Sequence, residues 1–418
     1  MKVKQAALSA MAASALLFGV VSPAFAQDNI TITGNGEAST NTATVTSTNT
    51  NTVTQNNTAV VTNTVTSNAN SGGNTAVSNT NGNVTVSTGN ASTTTNVSNA
   101  ANVNSADVSG CNTCGTPTNV TISGNGEAST NTAGVSNVGS TNTVFQNNTA
   151  TLTNTVTNNA NSGVNTANGN TGGNVSITTG AASTNTTVTN SANENLARIG
   201  TGGTGSTGAI NATISGNGEL STNTIGLTNA TTQTISQNNL ATIGNIVTSN
   251  ANSGGNSAVS NTNGNVMIST GNASTAATVD NGANFNAADV GCCLTGVSAT
   301  LSGNGELSRN TIAALLGDAL TVYQGGTGGG NTALLTNPVI SNAASGGNVT
   351  VGNTGAVTGG SMDSVTTGGA SSNTSVTNRS NVNVFGSGVN LNLPQIPTNL
   401  PFNFSFDFDM GGLFGLFV

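Results

Sequence analysis

The tetrapeptide Gly-Asn-Gly-Glu occurs four times in this 418-residue chain, beginning at Gly34, Gly124, Gly216 and Gly303, at spacings of 90, 92 and 87 residues. Recurrence at a fixed spacing means one structural unit copied, so the fold must be built by setting four like pieces together. Each copy follows a strand-like triplet (Ile30-Thr31-Ile32, Val120-Thr121-Ile122, Ala212-Thr213-Ile214, Ala299-Thr300-Leu301). Each precedes Ser-Thr-Asn-Thr or its variant Ser308-Arg309-Asn310-Thr311. Further landmarks keep their order. Asn68-Ala69-Asn70-Ser71-Gly72 returns at Asn159, at Asn250 and, as Asn342-Ala343-Ala344-Ser345-Gly346, in the fourth unit. Gly82-Asn83-Val84-Thr85-Val86 returns at Gly173 and Gly264.

Within a unit, apolar residues alternate with Thr, Ser or Asn, as in Thr64-Val65-Thr66 and Val84-Thr85-Val86-Ser87. Period-two alternation gives a strand one apolar and one polar face. Gly and Asn interrupt these runs and supply turns with positive φ. No helical periodicity of useful length follows residue 27, so the chain reads as all-β. With 3% aromatic residues and no Trp, a thick core is out of reach, whereas a thin core of stacked Val, Ile, Ala and Thr is not. This favours a β-solenoid (β-helix) of four repeats of about 90 residues, each expected to wind four or five rungs of about 20 residues. Four tandem β-sandwich domains are the alternative. The expected boundaries are a signal peptide at 1–26, repeats at 27–115, 116–208, 209–296 and 297–388, and a distinct tail at 389–418.

The segments Ser71-Gly72-Gly73-Asn74 and Gly82-Asn83-Val84-Thr85-Val86 resemble the β-helical shafts of filamentous-haemagglutinin-type adhesins. The Gly-Asn-Gly-Glu unit with its Ser-Thr-Asn-Thr is similar to Asn/Thr-rich repeat proteins of bacterial surfaces. The resemblance spans residues 30 to about 388. It implies a surface fibre or adhesin, and it carries no binding residues across. The large secretion domain of the haemagglutinin-type adhesins is not recognisable.

Lys2 and Lys4, an apolar stretch from Ala6 to Val21 and the ending Ala24-Phe25-Ala26 have the form of a secretory signal, predicting a mature start at Gln27. That cleavage removes both lysines and leaves Arg198, Arg309 and Arg379 against 13 acids, so 3 − 13 gives −10. Such a balance disfavours nucleic acid and polybasic membrane contact. The expected location is secreted, at a cell surface or in an extracellular matrix.

Cys111, Cys114, Cys292 and Cys293 in an exported chain suggest disulfides, with Cys111–Cys114 favoured. Cys292–Cys293 would be a strained vicinal bridge, which leaves an intermolecular link open. Glu37, Glu127, Glu219 and Glu306 are the acids that recur in all four units. They read as turn carboxylates bonding nearby amides, with weak Ca²⁺ ligation as the alternative. With no histidine in the chain, a Ser/His/Asp set cannot form, so we expect no enzyme, catalytic residue or cofactor. Phe402, Phe404, Phe406 and Phe408 alternate with polar residues in the tail. Such a strand suits a solenoid cap or a docking strand for self-association or other surface proteins. Membrane contact is disfavoured except through this tail. The expected function is a structural or adhesive rod or fibre subunit. A Ca²⁺- or glycan-dependent binding module and an amyloid-like matrix subunit are the alternatives.

Overall fold

The computed structural model describes residues 19–20, 29–46, 48, 50–108, 118–200, 209–290, 296–325, 330–355 and 363–386. Every regular element among them is a β-strand, and the sheets are built of parallel pairs, curled into a solenoid. The second unit shows the path of one coil. A short strand, Thr118–Ser123, leads through the Gly-Asn-Gly-Glu turn into a long strand, Thr130–Asn161. Two short strands follow, Thr166–Asn168 and Val175–Thr178, and then a return strand, Ala182–Ile199.

Each of these strands pairs with its counterpart in the neighbouring units. Thr222–Asn252 of the third unit lies on Thr130–Asn161 from Thr222↔Thr130 to Asn252↔Asn161, with one register shift at Ala230/Thr231. Ala182–Ile199 pairs on one side with Ala91–Val108 and on the other with Ala273–Val290. The units are therefore layers of one solenoid and not separate sandwiches. The coil is longer than the short rung expected: one whole unit, and not a fraction of it, makes one turn of the solenoid. The reason lies in what stacks on what. One unit apart, Asn lies on Asn, Gln on Gln and Val on Val, as in Asn63↔Asn154, Gln55↔Gln146 and Val65↔Val156. A shorter coil would set inward amides against aliphatic groups, and each buried amide left unpaired costs about 1–3 kcal/mol. Four coils at a strand spacing of ~4.8 Å rise only about 19 Å along the axis.

The long strand and the return strand form two walls facing each other, running in opposite senses, and the core is the seam between them. Along the seam, apolar layers alternate with polar ones. Ala160 meets Ala182, Val156 meets Val188, Leu152 meets Ala192, and Val144 meets Ile199. Between the second and third of these layers Asn154 faces Asn190, and between the third and fourth Asn148 faces Asn195. These side chains are almost wholly buried; Val156, Val188, Asn154 and Asn190 are each 0% exposed.

At the corners a side chain would point at the main chain of the adjacent coil, and there the chain uses glycine. A Cβ on Gly163 would sit 2.0 Å from the carbonyl oxygen of Gly254, and one on Gly173 would sit 2.2 Å from that of Gly82. The turn itself adopts positive φ at its first glycine and again just after its glutamate, where the residues are Ala38, Ala128, Leu220 and Leu307. Non-glycine residues in the left-handed region cost about 1–2 kcal/mol each, so the stacked main chain must hold them there.

Candidate functional site

Two repeated surfaces emerge from this path, one turned into the seam and one turned out to solvent. The inward surface consists of amide ladders. Gln146 donates from Nε2 to Oε1 of Gln55 at 2.8 Å and to the Leu196 carbonyl of the facing wall at 2.7 Å. Gln237 and Gln324 repeat this contact in the coils above, at 2.9 and 3.0 Å to the preceding glutamine. Asn102, Asn193, Asn284 and Asn381 all have positive φ. The first three donate both to the next asparagine and to a carbonyl of the long wall. The strand-forming sequence thus bulges at the same point in each coil to reach across the seam.

The outward surface is a lattice of hydroxyl and amide side chains. The column Thr52, Thr143, Thr234, Thr321 runs through all four coils in register. Columns farther along the same strand hold Thr62 and Thr153, and then Thr66, Thr157 and Thr248. These residues are exposed or half-buried. Asparagines on this face also form ladders, Asn147 to Asn56 at 2.9 Å and Asn238 to Asn147 at 3.0 Å. Val60, Phe145, Leu240 and Ile246 interrupt the lattice in the first three coils, and the fourth coil departs from it further. Leu315, Tyr323, Leu334 and Ile340, exposed by 68, 43, 58 and 54%, stand where the third coil has Thr228, Ser236, Thr242 and Thr248.

The structure stacks the four glutamates in one exposed column at the turn. What pairs is their main chain: the carbonyls of Glu127, Glu219 and Glu306 accept from Ala38, Ala128 and Leu220 at 2.8, 2.9 and 3.0 Å. Among the described residues no group of three or more acids, cysteines or histidines lies close enough to hold a metal ion. The cysteines at 111, 114, 292 and 293 and the phenylalanines at 402, 404, 406 and 408 lie outside the described residues.

The titratable groups that stand out belong to the return wall. Asp107, Arg198 and Asp289 occupy equivalent places in three successive coils, and the Arg198 guanidinium donates to Asp289 at 3.2 Å. Burial raises the Asp107 carboxyl above its usual range, with Arg198 pulling it down and Asp289 pushing it up. Glu194 sits between Val103 and Phe285, and burial pushes its carboxyl up to about 7. Among the described residues its Oε1 has no hydrogen-bond partner.

The sequence suggests asparagine ladders at the corners of a solenoid, and the structure places ladders of asparagine and glutamine inside the seam as well. The signal was available, because Gln55, Gln146, Gln237 and Gln324 hold one position in the four units, each three residues after a threonine. Alternation puts Gln146 in phase with Val144 and Ala150, but the sequence does not show which residues of the facing wall meet it. No family model matches the chain, and no curated protein or solved structure matches it either.

Proposed function

We propose that this chain is an exported structural or adhesive element of a cell surface or extracellular matrix, without catalytic activity. The observation that carries this reading is the register. Side chains repeat column by column, so that one face becomes a lattice of threonine, serine and asparagine on a frame of hydrogen-bonded coils. The lattice offers many equivalent weak contacts rather than one converging pocket, which suits adhesion and scaffolding. Of the alternatives, the amyloid-like matrix subunit is the one that stacking of like on like favours, because fibrils of that kind gain their stability from identical side chains in register.

The reading also rests on the apolar leader ending at Ala26 and on the composition of the chain. Its test is location. Antibody against residues 118–290 would be applied to intact producing cells, to permeabilised cells and to the cell-free matrix. Label on intact cells or in the matrix supports the reading. Label that appears only after permeabilisation sinks it.

A further inference from the structure

We infer that copies of this chain stack end on end, the fourth coil of one against the first coil of the next, in the register the coils use internally. The two ends carry complementary halves of one hydrogen-bond pattern. Inside the solenoid Asn217 donates both to the Ile122 carbonyl and to Asn304 Oδ1, at 3.3 and 2.9 Å. At the last coil Asn304 keeps the first kind of bond, to the Ile214 carbonyl at 3.3 Å, and among the described residues lacks the second. Asn310 and Asn348 show the same shortfall. Each retains its local bond, to Ser308 Oγ and to the Ser345 carbonyl, and has no asparagine beyond it among the described residues. The first coil presents the other half. Asn35, Asn41 and Asn74 donate to Asn125, Asn131 and Asn165 at 2.8, 2.8 and 3.0 Å. Their own side-chain oxygens, the atoms that accept in every later coil, lie at the free edge. In these columns donors end one face and acceptors begin the other, at matching positions.

The corner glycines supply a second, independent reason. In the interior a Cβ at Gly254 would lie 2.0 Å from the Gly346 oxygen, so glycine is obligatory there. Gly346 is the same position in the last coil, and a Cβ on it meets nothing within 4 Å. Gly36 and Gly82 in the first coil are likewise free, although their counterparts Gly126 and Gly173 are hemmed in at 2.5 and 2.2 Å. The chain keeps glycine at both ends, where only a further coil would require it. Mere copying of the repeat does not account for this. The fourth unit has replaced outward threonines by Leu334 and Ile340 while keeping Asn304, Asn310, Gln324 and Gly346.

Each end fits the opposite end and not itself, so the contact is head to tail and propagates into an open filament. One chain adds four coils, about 19 Å of rise at ~4.8 Å per coil. On the first coil, Gly19–Val20 pair along the free edge at Ala106 and Asp107. A chain beginning at Gln27 leaves this edge bare, which ties stacking to the exported form. The inference takes its geometry from the coil and rests on the proposed export only for removal of Gly19–Val20 from that edge.

The test uses protein purified from producing cells, as wild type, Gly82→Leu and Gly346→Leu. Wild type should form filaments with an axial repeat of ~4.8 Å and a chain repeat of about 19 Å by electron microscopy and fibre diffraction. Each variant keeps the wild-type circular dichroism and stays monomeric alone. An equimolar mixture of the two stops at dimers in sedimentation, because only one pair of unblocked ends remains. Gly36→Leu serves as a second block of the first coil should Gly82→Leu misfold. A variant with Phe402, Phe404, Phe406 and Phe408 all changed to serine should still form filaments. Wild type that remains monomeric when seeded, filaments lacking the chain repeat, glycine variants that polymerise normally, or loss of filaments in the serine variant would each overturn the inference. A monomeric protein that still labels intact cells would leave the proposed function standing while this inference falls.

Discussion

Asn154 and Asn190 face each other across the seam, and Asn154 donates from Nδ2 to Oδ1 of Asn190 at 3.0 Å. The same amide donates to Asn245 in the next coil at 2.7 Å, while the Asn154 oxygen accepts from Asn63 and Asn99 at 2.8 and 2.9 Å. Asn190 donates to Asn245 and Asn281 in turn. The two walls are thus laced by a zigzag in which each amide ties a neighbour above and a neighbour opposite. A buried polar network of this kind stabilises only when every member is satisfied.

Replacing Asn154 by Asp removes two donors and sets a carboxylate in a fully buried layer. The expected loss is about 3 kcal/mol or more, because a charge and several orphaned amides are left in the seam. Asn147→Asp, on the outward ladder, should cost less than about 1 kcal/mol because water replaces the lost partner. Urea midpoints of the two variants at neutral pH compare them directly. Equal shifts would show that the seam is not the dry network described.

Gly163→Ala should disrupt the second corner. Its Cβ would sit 2.0 Å from the Gly254 oxygen and 2.6 Å from the Ser253 carbonyl carbon, both main-chain atoms that cannot swing aside. Coil separation must grow locally, and the expected cost exceeds about 3 kcal/mol or abolishes folding. Gly346→Ala, with nothing within 4 Å, should leave the stability of a single chain unchanged. Thermal unfolding of dilute protein, monitored by circular dichroism, distinguishes them.

Glu194 gives stability a pH dependence of defined sign. Its folded carboxyl is raised from 4.5 to about 7 by burial, so the folded state prefers the protonated form. That preference is fully present below about pH 4.5 and is lost as pH rises toward 7, for a change of about 3 kcal/mol. Asp107 and Asp280, also raised by burial, act in the same direction. Glu194→Gln should flatten most of the trend and be the more stable protein at pH 8. Denaturation of both proteins at pH 4, 6 and 8 decides the matter, and parallel curves would refute the assignment.

Arg198→Met should destabilise through the acids it leaves behind. The Asp289 side chain is 2% exposed and loses its 3.2 Å partner, while Asp107 loses the cation that lowers its carboxyl. Removing one member of a buried ion pair costs about 3–5 kcal/mol; Arg198 is 29% exposed, so solvent reduces this to about 2 kcal/mol. Asp289→Asn introduced beside Arg198→Met should restore part of the loss. Absence of any rescue in a double-mutant cycle would argue that the three groups are uncoupled.

The strand content, the solenoid class and the glycine-marked turns were legible in the sequence. Alternation of Val, Ile and Ala with Thr dictates two-faced strands wherever it occurs, and recurrence of Gly-Asn-Gly-Glu dictates that like units meet. The length of the coil was not legible. Local propensity is indifferent to whether Thr50–Asn70 continues as one strand of 21 residues or bends after each short run. Only the pairing of each position with its own counterpart in the next unit selects the larger coil, because that register sets buried amides such as Asn154 and Gln146 on other amides, Asn63 and Asn245 or Gln55 and Gln237. The same decision divides the asparagines. Asn147 and Asn154 lie on one strand but on opposite faces, Asn154 in phase with Leu152 and Val156 and Asn147 out of phase with them. The facing wall makes Asn154 a buried member of the zigzag, while Asn147 remains on the solvent lattice. The amino-acid sequence determined which residues could stack, through side-chain alternation and repeat spacing. The tertiary structure decided which of them are core and which are surface, because burial depends on a wall that returns only after the chain has turned two corners.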